Sequence, residues 1–244
     1  MNEGHYEENN IALMLNLIKP NTMVFDIGAN IGLMSIPVLA SSSSVKVVSV
    51  EPSPNSFPFL AKTHRLSDFQ NRWTILNKAV FNYEGEVSFK LASKKKNSAY
   101  ESILDTQRCS FSDTIQIECT TLDKIWESHN KQEVSFIKMD IEGADLLALQ
   151  GATNCIKHCK SAILIEWNKK NIIPFQLKNT DLISFAKNIN YSLYALPYFN
   201  KCEDLTDLEL FSKIYENFLL LPNKEDEIAS IDHKTHSLNV EHSY

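Results

Sequence analysis

The stretch Val24-Phe25-Asp26-Ile27-Gly28-Ala29-Asn30-Ile31-Gly32 passes from an apolar run into a turn of small residues. An apolar strand that breaks at glycine and then opens into a helical pattern is typical of the first unit of an open parallel sheet. Gly28 and Gly32 lack side chains, so a ligand can approach the backbone there. Asp26, just before the turn, favours a cationic ligand over a phosphate. Taken alone, the turn could also be a purely structural connection.

A second acidic residue favours a binding site at this turn. Glu51 ends the apolar stretch Val48–Val50 and precedes Pro52. It follows the glycines at about the 20-residue interval expected of a carboxylate that binds ribose hydroxyls. The glycine spacing differs from the Gly-x-Gly-x-x-Gly fingerprint, which disfavours a nicotinamide-dependent oxidoreductase. The other interpretation of Glu51 is a surface residue that caps the next helix.

A third group of ionisable residues lies in the stretch Phe136–Asp145. Lys138 and Asp140 fall on one face of a predicted strand, and Glu142 follows at the turn into a helix. A lysine inside an apolar strand is unfavourable unless it is paired with an acid. Two interpretations stay open, a buried structural ion pair and a catalytic arrangement.

Short apolar runs alternate with helical patterns along the chain, which predicts βαβ units and a mainly parallel sheet. Seven strands are predicted, the last of them antiparallel, at Met23–Ile27, Val45–Val50, Trp73–Asn77, Val134–Asp140, Ser161–Trp167, Tyr191–Pro197 and Asn217–Leu221. Helices are predicted at Asn9–Ile18, Ile31–Ala40, Pro54–His64, Leu122–Ser128, Ala144–Lys157 and Thr180–Asn188. Because Pro58 removes a backbone donor, the third of these is expected to begin later or to kink.

An insertion interrupts this alternation within residues 85–119. It predicts two strands, Glu86–Leu91 and Thr114–Cys119, around a polar loop. Insertions at the rim of a sheet often form a substrate wall. We expect residues 1–222 to form one domain that includes this insertion, and the polar residues 223–244 to form a loosely ordered tail.

Composition excludes some classes of partner. The net charge of −6 argues against a protein that grips a nucleic acid backbone. No apolar run approaches the roughly 18 residues that span a bilayer, so no membrane insertion is expected. Five cysteines, without the pattern of a secretory signal, favour a cytoplasmic location. The oligomeric state stays open.

The chain resembles the FkbM family of S-adenosylmethionine-dependent methyltransferases. The resemblance covers about residues Tyr6–Leu221, and its most specific part is the Ile-Lys-Met-Asp-Ile-Glu-Gly-Ala block. The segments that carry it are Val24–Gly32, Val50–Pro54, Thr121–Asp123, Ile137–Asp145, Leu149–Ala152 and Ile163–Glu166. It implies an α/β, Rossmann-like class I methyltransferase fold. Pro58 and Asp145 depart from the family, which more often has Glu at these positions.

The resemblance also implies a cofactor and the residues that bind it. S-adenosylmethionine would place its methionine part on the glycine turn, its ribose on Glu51 and its adenine near Ala79 and Val80. The residues assigned to the cofactor are Asp26, Gly28, Ala29, Asn30, Gly32, Glu51, Pro52, Ala79, Val80 and Asp140. Family members transfer methyl groups commonly to hydroxyl oxygens of sugars, polyketides and related metabolites, so we expect a small-molecule or glycan acceptor.

Methyl transfer requires an acceptor oxygen aligned with the methyl group, and positioning supplies much of the acceleration. A carboxylate or a lysine can assist as a base. The candidates are Lys138, Asp140, Glu142 and Glu166. We assign no metal ion, although the oxygens of Asp140, Glu166 and Asn168 could hold Mg²⁺ or bind substrate hydroxyls directly. The competing class is a non-enzymatic module that binds the cofactor without transferring its methyl group.

Overall fold

The computed structural model describes residues 7–223, which fold into an eight-stranded sheet flanked by helices and a smaller three-stranded sheet. The predicted tail, apart from Asn223, lies outside these described residues. The strands of the main sheet are β1 (Met23–Ile27), β2 (Lys46–Val50), β3 (Trp73–Leu76), β7 (Val134–Met139), β8 (Ala162–Glu166), β9 (Tyr191–Ala195), β10 (Asn200–Cys202) and β11 (Asn217–Pro222). The smaller sheet consists of β4 (Ala79–Val80), β5 (Gly85–Ala92) and β6 (Phe111–Thr120).

Residues 7–223 include nine α-helices, the first of which precedes β1. They are α1 (Glu8–Leu17), α2 (Ser35–Ser41), α3 (Phe57–Leu66), α4 (Leu122–Ser128), α5 (Asp145–Gln150), α6 (Thr153–Cys159), α7 (Lys169–Ile172), α8 (Asn179–Asn188) and α9 (Leu205–Phe211). A short 3₁₀ helix lies between β5 and β6 at Lys95–Tyr100, and another directly follows α7 at Ile173–Phe175. No helix among the described residues is long and apolar enough to cross a bilayer.

The main sheet has the strand order β3-β2-β1-β7-β8-β11-β9-β10. Neighbours from β3 to β8 are parallel, whereas β11 is antiparallel to both β8 and β9. The prediction of a mainly parallel sheet with an antiparallel final strand is confirmed. The predicted number of seven strands is wrong by one, because the short strand β10 pairs with β9 as a hairpin. Three residues, Asn200–Cys202, are too few to show a hydrophobic alternation.

Two predicted helices differ from the observed ones. The helix after β1 begins at Ser35 rather than Ile31, because Asn30 and Gly32 have positive φ angles of 50° and 91° that interrupt a right-handed helix. The helix predicted at Ala144–Lys157 is two helices, α5 and α6. The second begins separately because Asp123 caps it: its Oδ1 accepts a hydrogen bond of 2.8 Å from the backbone nitrogen of Cys155.

Strands β5 and β6 form the antiparallel pair of the insertion and include the predicted Glu86–Leu91 and Thr114–Cys119. The insertion also gains β4, which pairs with β6 in parallel. Between β5 and β6, residues 93–110 return toward the main sheet, and Ser102 accepts a hydrogen bond from the backbone of Lys90. The connecting loop thereby reaches the carboxyl edge of the main sheet.

Every residue of β1 and β7 is buried, because helices cover both faces of the sheet. Phe25 and Ile137 pack in the apolar cluster on one face, and Val24 and Phe136 in the cluster on the other. Parallel strands place their carboxyl ends at one edge, and open α/β sheets bind ligands there. The ends of β1, β2, β7 and β8 therefore define the place to search for a site.

Candidate active site

A cavity of about 360 Å³ lies at the carboxyl edge of the main sheet. Strand ends form one wall and the insertion forms another. The residues assigned from the sequence that line it are Gly28, Asn30, Glu51, Pro52, Ala79, Val80, Asp140, Glu142 and Glu166. Asp26, Ala29, Gly32 and Lys138 are not among the lining residues. The cavity thus brings seven of the ten predicted cofactor residues and three of the four candidate bases into one space.

The glycine turn after β1 is packed tightly between its neighbours. Gly28 has a φ of 75°, and a Cβ atom added there would lie 1.9 Å from the carbonyl oxygen of Asp140. Its backbone nitrogen donates a hydrogen bond of 2.9 Å to the carbonyl of Val50. Gly28 is therefore required for the contact between the ends of β1, β2 and β7, in addition to any approach of a ligand.

Lys138 lies beneath this turn and is 4% exposed. Its Nζ is 3.7 Å from Oδ1 of Asp26, 3.5 Å from Oδ2 of Asp140, and 3.3 Å from the carbonyl oxygen of Gly28. Asp26 is fully buried and accepts a hydrogen bond of 2.5 Å from the hydroxyl of Ser35. These contacts place Lys138 and Asp26 under the cavity floor, in an arrangement that holds the turn against β7.

Glu51 is at the end of β2 and is 6% exposed, so the interpretation as a surface residue is wrong. Its Oε2 accepts a hydrogen bond of 2.8 Å from the backbone of Asn30, and its Oε1 accepts one of 2.8 Å from the backbone of Ser53. In the turn before α3, the hydroxyl of Ser53 accepts hydrogen bonds from the backbone nitrogens of Asn55 and Ser56. Burial raises the pKa of Glu51 to about 7.

The carboxylates of Asp140, Glu142 and Glu166 form an acidic cluster in which the nearest oxygens all lie within 4.8 Å of one another. The amide of Asn171 donates hydrogen bonds of 3.0 Å to both Glu142 and Glu166. Arg108 Nη1 donates to the same two residues, over 3.0 Å and 3.3 Å. The cation of Arg108 and the amide of Asn171 thus hold two of the three acidic groups, Glu142 and Glu166, together at the ends of β7 and β8.

Two members of the acidic cluster, Glu142 and Glu166, have raised pKa values. Burial, followed by the charge of Glu166, raises the pKa of Glu142 to about 8. Burial, followed by the charge of Asp140, raises the pKa of Glu166 to about 7. A carboxyl group with a pKa near the working pH can exchange a proton with a hydroxyl. The cluster therefore has the chemistry of a proton acceptor for an alcohol.

The structure explains the glycine of the Ile-Lys-Met-Asp-Ile-Glu-Gly-Ala block, which is Gly143. Gly143 has a φ of 94°, and a Cβ atom added there would lie 2.1 Å from the carbonyl oxygen of Asn171. This close approach brings the backbone of α7 against the turn after β7. The amide of Asn171 is thereby placed on Glu142.

Asn168 does not join the acidic cluster. Its amide nitrogen donates to Oε1 of Glu216, and its Oδ1 accepts a hydrogen bond of 2.9 Å from the backbone of Lys170 at the start of α7. The third carboxylate next to Asp140 and Glu166 is Glu142. The sequence-based ligand set with Asn168 is therefore wrong in this residue.

Three residues at the site have no counterpart in the sequence analysis: Glu101, Arg108 and Asn171. Glu101 and Arg108 come from the loop between β5 and β6, and the guanidinium of Arg108 lies 4.7 Å from the ring centre of Tyr100. A polar loop carries no periodicity, so the sequence offers no signal for either residue. The role of Asn171 could not be predicted from the sequence, because its position depends on the contact with Gly143, which is distant in the chain.

The chain is similar to known methyltransferases. Residues 26–193 match the family model described as the methyltransferase FkbM domain. The hexuronic acid methyltransferase AglP of Haloferax volcanii is 25% identical over 159 residues, which are 65% of this chain and 61% of that protein. The matched region therefore spans less than two thirds of the length of this relative.

Solved structures share the fold. Methyltransferase FkbM from Methylobacillus flagellatus superposes with a TM-score of 0.52 at 18% identity, over 84% of this chain and 45% of that one. A Staphylococcus aureus protein provisionally named a caffeoyl-CoA O-methyltransferase gives a TM-score of 0.53 at 10% identity, over 90% of this chain and 85% of that one. These likenesses show a class I methyltransferase fold. The family model matches more than half of the chain, from Asp26 at the end of β1 onward, so the chain belongs to the FkbM methyltransferase family.

Proposed function

We propose that the protein is an S-adenosylmethionine-dependent methyltransferase that methylates a hydroxyl group of a sugar, a glycan or a secondary metabolite. One observation carries the proposal: Glu51 and the acidic cluster of Asp140, Glu142 and Glu166 line the same cavity. A cofactor bound at Glu51 and an acceptor bound at the cluster would therefore share one space. The name of the Haloferax volcanii relative supports a sugar acceptor.

The described residues fit the cofactor. Each carboxylate oxygen of Glu51 accepts one backbone hydrogen bond, which leaves a lone pair on each oxygen for a ribose hydroxyl. Ala79 and Val80 give that side of the cavity an apolar border suited to an adenine ring. The carboxylate of Asp140, which lines the same cavity, suits a cationic sulfonium. Asn30 and Gly28 present the backbone of the turn to the methionine part.

The acidic cluster performs the acceptor side of the reaction. Bound adenosylmethionine supplies a methyl group activated by a positively charged sulfur. Glu142 and Glu166 hold the acceptor hydroxyl by hydrogen bonds, and the ionised member of the pair takes its proton. Arg108 stabilises that ionised form, since its guanidinium contacts both residues. Lys138, beneath the floor, positions Asp140 and the turn and does not touch the acceptor.

A methyl-transfer assay tests the proposal. The protein is incubated with adenosylmethionine that carries a deuterated methyl group and with a panel of hexuronic acids, neutral sugars, polyhydroxylated metabolites and an RNA oligonucleotide. Mass spectrometry should find labelled methyl on a sugar or metabolite hydroxyl, with release of the demethylated cofactor. Glu142→Gln should bind the cofactor and transfer the methyl group at least tenfold more slowly. Cofactor binding without transfer to any acceptor would favour the non-enzymatic module instead.

A further inference from the structure

We infer that Glu101, a residue of the insertion, is a positioning residue of the cofactor site that acts through Ser53 to fix the carboxylate of Glu51. The inference rests on the proposed function, because that function assigns Glu51 to the ribose. It extends the role of the insertion from an acceptor wall to a part of the cofactor site.

The first step is the contact between Glu101 and the loop after β2. Glu101 is 6% exposed and lines the same cavity as Glu51. Its Oε2 accepts a hydrogen bond of 2.5 Å from the hydroxyl of Ser53, and its Oε1 accepts one of 2.7 Å from the amide of Asn55. The backbone nitrogen of Ala92, at the end of β5, also donates to Oε1 over 3.0 Å. One buried carboxylate therefore ties β5 to the segment that carries Glu51.

The Ser53 hydroxyl makes every hydrogen bond that a hydroxyl group can make. It donates its only hydrogen to Glu101, and its oxygen accepts 3.0 Å hydrogen bonds from the backbone of Asn55 and of Ser56. A hydroxyl has one donor and two acceptor positions, so all three are occupied and the Ser53 rotamer is fixed. The backbone nitrogen of the same residue donates to Oε1 of Glu51. The contacts thus run from Glu101 through Ser53 to Glu51.

The third step is a second tie between the same segments. The hydroxyl of Ser56 donates a hydrogen bond of 3.0 Å to the hydroxyl of Ser98, in the 3₁₀ helix that precedes Glu101. Two independent contacts therefore hold the insertion against the loop after β2. Neither is needed for the main sheet, which is complete without the insertion. A role at the cavity accounts for burying a charged group at this place.

The charge of Glu101 affects the pKa of Glu51, which a purely packing role of Glu101 would not do. Among the described residues, two charged groups face Glu51: Lys138 from β7 and Glu101 from the insertion. Burial is the main cause of the raised pKa of Glu51. The backbone hydrogen bonds from Ser53 and Asn30 lower this pKa, the charge of Lys138 also lowers it, and the charge of Glu101 raises it. An ionised Glu51 accepts ribose hydroxyls and a protonated one accepts them less well, so cofactor affinity should fall as the pH drops below about 7. Removing the Glu101 charge should move that fall to lower pH.

The experiment is calorimetric titration of S-adenosylhomocysteine into the full chain between pH 5.5 and 8.5. The variants are Glu101→Gln and Ser53→Ala, with Glu86→Gln, an exposed acid of the same insertion, as the matched control. At pH 8 we expect both site variants to bind about fivefold or more weakly than wild type, as for the loss of about one hydrogen bond. The midpoint of the pH dependence should move down for Glu101→Gln, which removes a charge that raises the pKa of Glu51. It should move up for Ser53→Ala, because a looser Ser53 weakens the backbone hydrogen bond that lowers this pKa.

The outcomes separate the inference from the proposed function. If wild type binds and both site variants bind as tightly as Glu86→Gln, the positioning role is overturned. Affinity that drops equally at every pH in Glu101→Gln, together with a lower melting temperature, would also overturn it in favour of a packing role. If Glu101→Gln does not fold, the affinity of Ser53→Ala for S-adenosylhomocysteine decides whether the positioning role holds: weaker binding than Glu86→Gln supports it, and equal binding overturns it. Absence of binding by the wild-type protein would instead overturn the proposed function, and the inference with it.

Discussion

Arg108 donates a hydrogen bond of 3.0 Å from Nη1 to Oε2 of Glu142, so a residue of the insertion is joined to the turn after β7. Glu142 is nevertheless buried enough for its pKa to rise to about 8. The folded chain therefore carries a proton on Glu142 at a pH at which the unfolded chain, with its ordinary pKa of 4.5, has lost it.

This difference predicts how stability depends on pH. Between pH 4.5 and about 8, Glu142 lowers the free energy of unfolding as the pH rises, because the folded state binds more protons. Glu142→Gln removes that contribution, at most about 1.4 kcal/mol per pH unit. Denaturant unfolding from pH 5 to 9 should show that the free energy of unfolding of the variant increases relative to that of wild type as the pH rises. The exposed Glu209→Gln should show a constant offset, and a similar constant offset for Glu142→Gln would contradict the raised pKa.

Glu51 should contribute strongly to cofactor affinity. Glu51→Ala removes the acceptor of two ribose hydroxyl hydrogen bonds, and the expected loss is on the order of 1–3 kcal/mol in the binding of S-adenosylhomocysteine. Calorimetry at pH 8 measures it, with the exposed Glu86→Ala as control. Equal affinity for wild type and Glu51→Ala would remove the ribose assignment.

Lys138 should stabilise the fold more than it serves the chemistry. Lys138→Met leaves Asp26 and Asp140 without their buried counter-charge, which is expected to destabilise the protein by about 3–5 kcal/mol. Adding Asp26→Asn should recover part of that loss in a double-mutant cycle, while the exposed Lys157→Met should be close to neutral. A Lys138→Met protein of normal stability that binds cofactor and transfers methyl slowly would show a catalytic role instead.

Gly28→Ala should disrupt the junction of β1, β2 and β7. The new Cβ atom would lie 1.9 Å from the Asp140 carbonyl oxygen, which demands a backbone shift and a destabilisation on the order of 3 kcal/mol or more. Gly85→Ala is the control, because Gly85 also has a positive φ but its added Cβ would lie 3.7 Å from its nearest neighbour, Cε2 of Tyr83. Similar melting temperatures for the two variants would show that backbone conformation, rather than the contact with Asp140, sets the requirement for glycine.

Hydrophobic periodicity predicted the parallel part of the fold because buried parallel strands contain apolar runs such as Ala162–Ile165. It failed where distant residues decide local structure. The break between α5 and α6 depends on Asp123, which caps α6 from the start of another helix. The late start of α2 follows from the positive φ of Asn30, which a window of helical periodicity does not register.

For the site, the sequence located the residues at strand ends. Glu51, Asp140 and Glu166 were found because each carboxylate ends an apolar run, and parallel strands bring such ends together. Arg108 and Glu101 were missed, since their positions depend on how the loop between β5 and β6 folds back. Lys138 was found, but only the structure shows that it lies beneath the cavity rather than in its wall.

The place of β11 between β8 and β9 affects the chain while it is being synthesised. Residues 217–222 are made after β9 and β10, yet they fill the gap that joins this hairpin to the rest of the sheet. Until they leave the ribosome, β8 has an open edge and the hairpin has no partner. Open strand edges pair readily with other chains. A nascent chain that stops before residue 217 therefore leaves the edge of β8 open to pairing with other chains.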